Sequence, residues 1–239
     1  MNQTASERPY RYLDMVMALF VTVLIVSNIA SSAKIIDWGI SIGNIPLAFD
    51  GGTLLFPISY IFGDVLTEVY GFKRSRRVIW LGFGALALSA LTLAAVRAMP
   101  GEAAWQGYAG DAAFDAILGG MSTGGIVLAS LLAYLAGEFA NSVVLSRLKV
   151  ATNGRWLWLR TISSTLLGEG IDSTIFILVA ILAGVFPWEL FGTLVLTNYI
   201  FKVSIEVLMT PVTYWIVTRL KAAEQVDTFD RGIQYRLVG

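Results

Sequence analysis

The sequence predicts an all-α membrane protein of six transmembrane helices with both termini cytoplasmic. Three observations carry this reading. Apolar residues make up 56% of the 239-residue chain and charged residues only 14%, with a mean hydropathy of +0.70; an ordinary soluble domain carries roughly 25% charged residues. Six segments are long and apolar enough to cross a hydrocarbon core about 30 Å thick, which takes roughly 20 residues of helix. The basic residues gather at alternate ends of those segments.

The spans fall near 12–34, 53–72, 77–97, 124–146, 161–184 and 189–218, in a single domain. The leading "MNQTASERPYRY" is polar and shows no signal-peptide apolar region. Span one is too long for a cleaved leader and is expected to be retained. Between spans one and two, "DWGISIGNIPLAFDGG" (37–52) reads as extended or turn structure dipping back towards the membrane. Span two is the weakest by hydropathy because it holds Asp64 and Glu68. Span three, "VIWLGFGALALSALTLAAV", has no polar stripe and is expected to face lipid as a brace. Residues 101–120 have apolar positions at helical spacing and suit either a short interfacial helix, an anchored connecting loop or a lid. Span six is long enough to tilt or to extend past the membrane.

Orientation follows from Lys and Arg, which favour the cytoplasmic side. Fourteen of the seventeen lie before span one (Arg8, Arg11), between spans two and three, between four and five, or after six. The opposite side has Lys34 and Arg97, and Lys202 is inside span six. The chain has neither Cys nor His. That removes disulfides, thiolate chemistry, the commonest metal ligand and the usual neutral-pH base, and excludes zinc proteases and rhomboid-type hydrolases, which need His. No metal, cofactor or nucleic-acid partner is expected. Association with further copies of the chain is neither required nor excluded by the sequence.

Depth can be measured from the basic ends. Asp64 lies nine residues before Lys73, Glu138 nine before Arg147, and Glu169 nine after Arg160. At about 1.5 Å per residue all three sit roughly 14 Å in, near the midplane. Each follows a glycine, a residue that lets helices approach closely. Asp172, Lys202 and Glu206 lie somewhat deeper by the same ruler, and Asn198 deeper again. Spacing of four puts Tyr60, Asp64 and Glu68 on one face of span two and Asn198, Lys202 and Glu206 on one face of span six. Asn141 shares a face with Glu138, and span one contributes Asn28.

An ionisable side chain at a helix centre costs about 2.5–3.5 kcal/mol on insertion scales, so such groups face a bundle interior or a wet cavity. Six acids against the one base Lys202 cannot all be ionised in a dry interior. Asp64, Glu138, Glu169 and Asp172 are therefore read as cavity residues. Glu68 lies closer to the basic edge and reads as a structural charge anchor, pairing with Lys73 or the arginines beside it. Lys202 suits an ion pair with Glu206 or with an acid from another helix. Asn28 and Asn198 equally suit bridges between helices. Carboxylates and amides at this depth fit a donor-rich small solute, such as a guanine-like ring, with Phe176 among the aromatics available for stacking. The same chemistry admits a cationic solute or proton coupling.

The long stretch "GGTLLFPISYIFGDVLTEVYGFKRSRRVIWLGF" resembles the signature of the queuosine-precursor transporter family, also called the vitamin uptake transporter family. "SNIASSAK", "AGEFANS", "RTISSTLLGEGIDSTIF" and "TNYIFKVSIEVLMTPVTY" extend the resemblance over nearly the whole chain. It implies a six-helix plan like the substrate-binding component of energy-coupling-factor transporters. It also implies import of a 7-deazaguanine across a bacterial inner (cytoplasmic) membrane: 7-cyano-7-deazaguanine, 7-aminomethyl-7-deazaguanine or queuine. The substrate-site candidates are then Asn28, Tyr60, Asp64, Glu138, Asn141, Glu169, Asp172, Phe176, Asn198, Lys202 and Glu206. Glu169 departs from the family pattern, where Gln is expected. Two alternatives stand beside this: a substrate-binding subunit of an ATP-driven vitamin transporter, and an intramembrane aspartyl hydrolase using Asp64 and Asp172.

Overall fold

In the computed structural model, residues 10–42, 45–122 and 124–238 are described. Arg8 and the side chain of Tyr60 lie outside the described residues. The apolar runs form helices α1 (Leu13–Ala33), α2 (Phe56–Val65), α3 (Phe72–Arg97), α4 (Ala103–Tyr108), α5 (Gly110–Ser122), α6 (Gly124–Ala151), α7 (Leu157–Leu182) and α8 (Phe191–Glu224). Among the described residues five helical stretches are long and apolar enough to cross a membrane: Leu13–Ala33, Phe72–Arg97, Gly110–Ala151, Leu157–Leu182 and Trp188–Glu224. Large apolar side chains on their outer faces stay exposed, among them Leu88, Leu91, Leu182, Leu208 and Trp215, a belt that suits lipid contact.

The second expected span differs in kind from these five. Helix α2 has ten residues and continues as a five-residue π-helical segment, Leu66–Tyr70. Every residue from Gly63 to Phe72 is buried. Ile61, Val65, Leu66, Val69 and Tyr70 pack with Phe20 and Leu24 of α1, Val78 and Ile79 of α3, Tyr134 of α6 and Val217 of α8. Low hydropathy is tolerable here because other helices, not lipid, surround this segment. At Gly71, with φ of 84°, a single residue turns the chain from the π-helical end into α3, in a conformation where glycine has no Cβ penalty. "FKRSRR" therefore belongs to the first turns of α3, not to a loop as its basic composition suggests.

The two connecting segments are also ordered by local rules. Residues 37–52, expected to be extended or turned, fall largely in an antiparallel hairpin of β1 (Ile35–Ile42) and β2 (Ile45–Asp50), with Ile35 opposite Asp50 and Ile42 opposite Ile45. Residues 101–120 form α4 and most of α5 in place of one short helix. Glu102 caps α4 by accepting a hydrogen bond of 2.9 Å from the Trp105 N–H, and Arg97 is bound to Asp115 of α5 at 2.6 Å.

Sequence proximity misidentifies the partners of Glu68. Its carboxylate is fully buried, and one oxygen, Oε1, receives Arg160 Nη2 at 2.8 Å and Lys221 Nζ at 2.6 Å, with Lys149 Nζ at 3.5 Å. Lys149 also donates to the Glu68 carbonyl at 2.5 Å. These cations come from α7, α8 and α6, not from the neighbouring Lys73 cluster, because the whole Leu66–Tyr70 segment is buried among other helices. Asp227, just past α8, joins the cluster at 2.5 Å from Lys149 and 2.7 Å from Lys221. The C-terminal segment is fastened across the same end. Asp230 accepts from the Phe72 N–H at 2.8 Å and from Ser146 at 2.6 Å, and Trp80 donates to the Leu237 carbonyl at 2.8 Å. Close by, the buried hydroxyls of Thr67, Ser75 and Ser142 form a ring with separations of 2.9–3.0 Å.

Two outcomes follow for this cluster. Removing a partner from a buried charge cluster costs about 3–5 kcal/mol. Glu68→Leu is therefore expected to lower the unfolding midpoint of the detergent-solubilised protein sharply, and an unchanged midpoint contradicts the assignment. Burial pushes the Asp227 carboxyl up, but hydrogen bonds and charge from Lys149 and Lys221 outweigh it and hold the group below its ordinary value. A depressed folded value means that the stabilisation is complete above the unfolded value of about 3.9 and is lost as pH falls through the folded one. Thermal unfolding should thus separate wild type from Asp227→Asn at neutral pH, and the two midpoints should converge on acidification below about pH 4.

Candidate functional site

Above the Glu68 cluster, helices α1, α2, α6, α7 and α8 leave a polar chamber of about 120 Å³. Its walls form where the helical faces with four-residue spacing converge. Helix α2 presents Asp64; α6 presents Tyr134, Glu138 and Asn141; α7 presents Thr165, Glu169 and Asp172; α8 presents Lys202 and Glu206; and α1 presents Ser27 and Asn28. The three acids that the depth ruler sets at one level, Asp64, Glu138 and Glu169, line this one chamber.

A wider chamber of about 380 Å³ adjoins it and shares Leu24, Asn28, Tyr134, Asp172 and Lys202 with it. Phe176 and Asn198 line this second space, beside Ser31, Ser32 and Ser130. Sites for small ligands commonly measure about 300–1,000 Å³, so the deep chamber is a polar end to the wider one. Glu68 lines neither.

One wall of the chamber forms where α6 and α7 approach closely at two glycines, Gly137 and Gly168. A Cβ on Gly137 would lie 2.8 Å from the Asp172 Cβ and 3.1 Å from the Gly168 carbonyl oxygen; one on Gly168 would lie 2.9 Å from the Asn141 Cβ and 3.1 Å from the Gly137 carbonyl oxygen. Glycine at both positions brings the following acids, Glu138 and Glu169, to the same wall.

Within the chamber the charges are unequally matched. Lys202 is hydrogen-bonded to Asp172 and lies 3.0 Å from Glu169 Oε2, so among the described residues its acidic partners come from α7 and not from Glu206 on its own helix. Asn141 donates to Asp64 Oδ1 at 3.2 Å. Asp64 Oδ2, Glu138 Oε2 and both oxygens of Glu206 are buried with no hydrogen-bond donor among the described residues. Asn28 and Asn198 each donate to a carbonyl one turn back in their own helices, Leu24 and Leu194, and bridge no helices through those bonds. Among the described residues no group of three or more His, Cys, Asp or Glu is spaced to hold a metal ion. Acceptors in excess, one cation and adjoining amides suit a solute that presents several N–H donors and a carbonyl.

Among the lining residues that escaped the sequence reading, Tyr134 and Thr165 each carried a signal that could have found them. Tyr134 lines both chambers and Thr165 the deep one; they precede Glu138 and Glu169 by four residues, and so share their helical faces. Tyr134 also donates to the Ile79 carbonyl of α3 at 3.2 Å, which fixes its ring at the junction of the two spaces.

The family model described as "putative vitamin uptake transporter" matches residues 50–216. A "probable queuosine precursor transporter" of Bacillus subtilis (strain 168) is 29% identical over 167 residues, covering 68% of this chain and 69% of that protein. A protein of the same description from Haemophilus influenzae (strain ATCC 51907 / DSM 11121 / KW20 / Rd) is 26% identical over 169 residues, covering 70% and 67%. No solved structure matches this chain.

The glycine contact yields a direct outcome. Gly137→Ala inserts a methyl group against backbone and a Cβ on α7, and overpacking of this kind costs about 1–3 kcal/mol. The variant should unfold earlier in a detergent melt and bind solute more weakly than wild type. A variant indistinguishable from wild type in both measurements would show that α6 and α7 are not held this closely.

Proposed function

The chain belongs to the vitamin uptake transporter family, and from that premise we propose that it imports a queuosine precursor, 7-cyano-7-deazaguanine or a closely related 7-deazaguanine. The family is one of transporters and not of enzymes, which removes the hydrolase reading of Asp64 and Asp172. The observation that carries the substrate is the gathering of Asp64, Glu138, Glu169, Asp172 and Glu206 with Lys202 and Asn141 around one chamber. A 7-deazaguanine offers a ring N–H and an exocyclic amine side by side, and one carboxylate accepts both. Asp64 or Glu138 takes that edge, while Asn28, Asn141 or Lys202 meets the carbonyl. Phe176 supplies a ring face, and Asn198 stands on the approach. Glu169, where Gln is the family expectation, holds Lys202 together with Asp172.

On this reading six spans cross a bacterial inner membrane, α2 with its π-helical end being the sixth, and both termini face the cytoplasm. The plan is that of the substrate-binding component of energy-coupling-factor transporters. Support comes from the basic residues: Lys149, Arg160, Lys221 and the C-terminal segment close the end beyond Glu68, while the wide chamber leads from Asp172 and Lys202 towards Ser31, Ser32 and Gly120 near the opposite ends of their helices. Such an arrangement suits a state that is sealed towards the cytoplasm.

The test is calorimetric binding of 7-cyano-7-deazaguanine, 7-aminomethyl-7-deazaguanine and guanine to the purified protein, with uptake into proteoliposomes lacking ATP. A charged hydrogen bond contributes about 1.5–3 kcal/mol, so Asp64→Ala and Glu138→Ala should each weaken binding about tenfold to hundredfold. Full affinity in both variants would reject the site. Uptake that requires a separate ATPase would reassign the chain as a binding subunit.

A further inference from the structure

Two carboxylates one turn apart on the same buried segment have opposite surroundings. Glu68 meets three cations. Asp64 meets Asn141 on one oxygen and, on α8, the carboxyl of Glu206. Both acids of this pair are 1% exposed. Neither oxygen of Glu206 receives a hydrogen bond from a described residue, nor does Asp64 Oδ2, and Glu206 points into the deep chamber.

The groups around the pair supply no counter-charge. Helix α1 offers only Ser27 and Asn28; α6 offers Tyr134, Glu138 and Asn141; α7 offers Thr165, Glu169 and Asp172. The nearest further charge along the chain is Glu68 of the π-helical segment, committed to its own cations. Lys202, on the same helix as Glu206, is engaged by Asp172 and Glu169. Two ionised carboxylates cannot face each other under these conditions. One bound proton turns the repulsion into an O–H···O⁻ hydrogen bond and supplies the donor that the oxygens lack.

We propose that Asp64 and Glu206 form a proton-binding site, holding one proton between them, and that transport of the solute is coupled to its uptake and release. This rests on the import reading above. The pair opens onto the chamber, so its proton can exchange. It joins two helices that are irregular on the same side of it: α2 passes into the π-helical Leu66–Tyr70, and α8 contains Pro211 five residues beyond Glu206. Both devices weaken the regular hydrogen-bond ladder and mark places where a helix bends. With the proton bound, α2 and α8 are fastened across the chamber. With the proton released, like charges drive them apart and open the path beside Glu68. A neutral 7-deazaguanine then travels with one proton, and each cycle moves one positive charge inward.

Two measurements test this. Infrared difference spectra of the purified protein at neutral pH should contain a protonated-carboxyl carbonyl band that Glu206→Gln and Asp64→Asn each remove. Absence of a band sensitive to both would overturn the proton site, whether or not the chain transports anything. In proteoliposomes carrying an internal pH dye, 7-cyano-7-deazaguanine uptake should acidify the lumen by about one proton per solute. Glu206→Gln should reduce that ratio at least tenfold relative to its own residual exchange, whereas Glu138→Gln lowers the rate and keeps the ratio. Uptake without proton movement in wild type, or an unchanged ratio in Glu206→Gln, would overturn the coupling. Failure of gradient-free exchange of labelled precursor in wild type would instead reject the import reading, with the infrared band still deciding the proton site.

Discussion

One carboxylate oxygen, Glu68 Oε1, holds the basic end of the molecule together. It draws Arg160, Lys221 and Lys149 from three helices onto a point with no solvent exposure. Separating any of them would leave an uncompensated buried charge. Because Lys149 and Lys221 also hold Asp227, the same contact fastens the chain beyond α8, and Asp230 then caps the start of α3 through the Phe72 N–H. The ends of α3, α6, α7 and α8 are therefore set by one buried ion cluster. The position of α2 within the bundle follows from it.

Placing α2 at the centre explains the low hydropathy of this segment. A helix that touches lipid must be apolar on the side that faces it, whereas one enclosed by other helices needs to satisfy only those neighbours. The two acids of this segment, Asp64 in α2 and Glu68 in its π-helical continuation, have different neighbours and therefore different chemistry. Glu68 is neutralised by protein cations, and Asp64 is left facing an amide and another acid. The first ties the basic ends of three helices together. The second leaves electrostatic demand unmet in a chamber, the condition under which a bound solute or a proton gains most.

The upper part of the bundle depends on a steric constraint. Gly137 and Gly168 bring the α6 and α7 backbones into contact, and each following acid is thereby directed to one chamber wall. Hydrogen bonds then orient this wall: Asn141 onto Asp64, Lys202 onto Asp172. Excess acceptors remain along this wall, with Lys202 as the only lysine that lines the deep chamber among the described residues.

Much of this was legible in residue order, because burial in a bilayer leaves strong periodic signals. The apolar lengths of five spans, the segregation of basic residues and the common depth of Asp64, Glu138 and Glu169 follow from the dimensions of a helix and a bilayer, and they needed no coordinates. So did the glycine before each of these acids. Tertiary structure alone decided which charge meets which. Glu68 bypasses Lys73, nearest in sequence, for Arg160 and Lys221, 92 and 153 residues away. Lys202 passes over Glu206 on its own helix for Asp172 and Glu169, and Glu206 is left against Asp64. Helical periodicity states which residues share a face of one helix. Charge pairing depends on how faces of different helices are rotated towards each other, and that rotation is set by packing of the whole bundle.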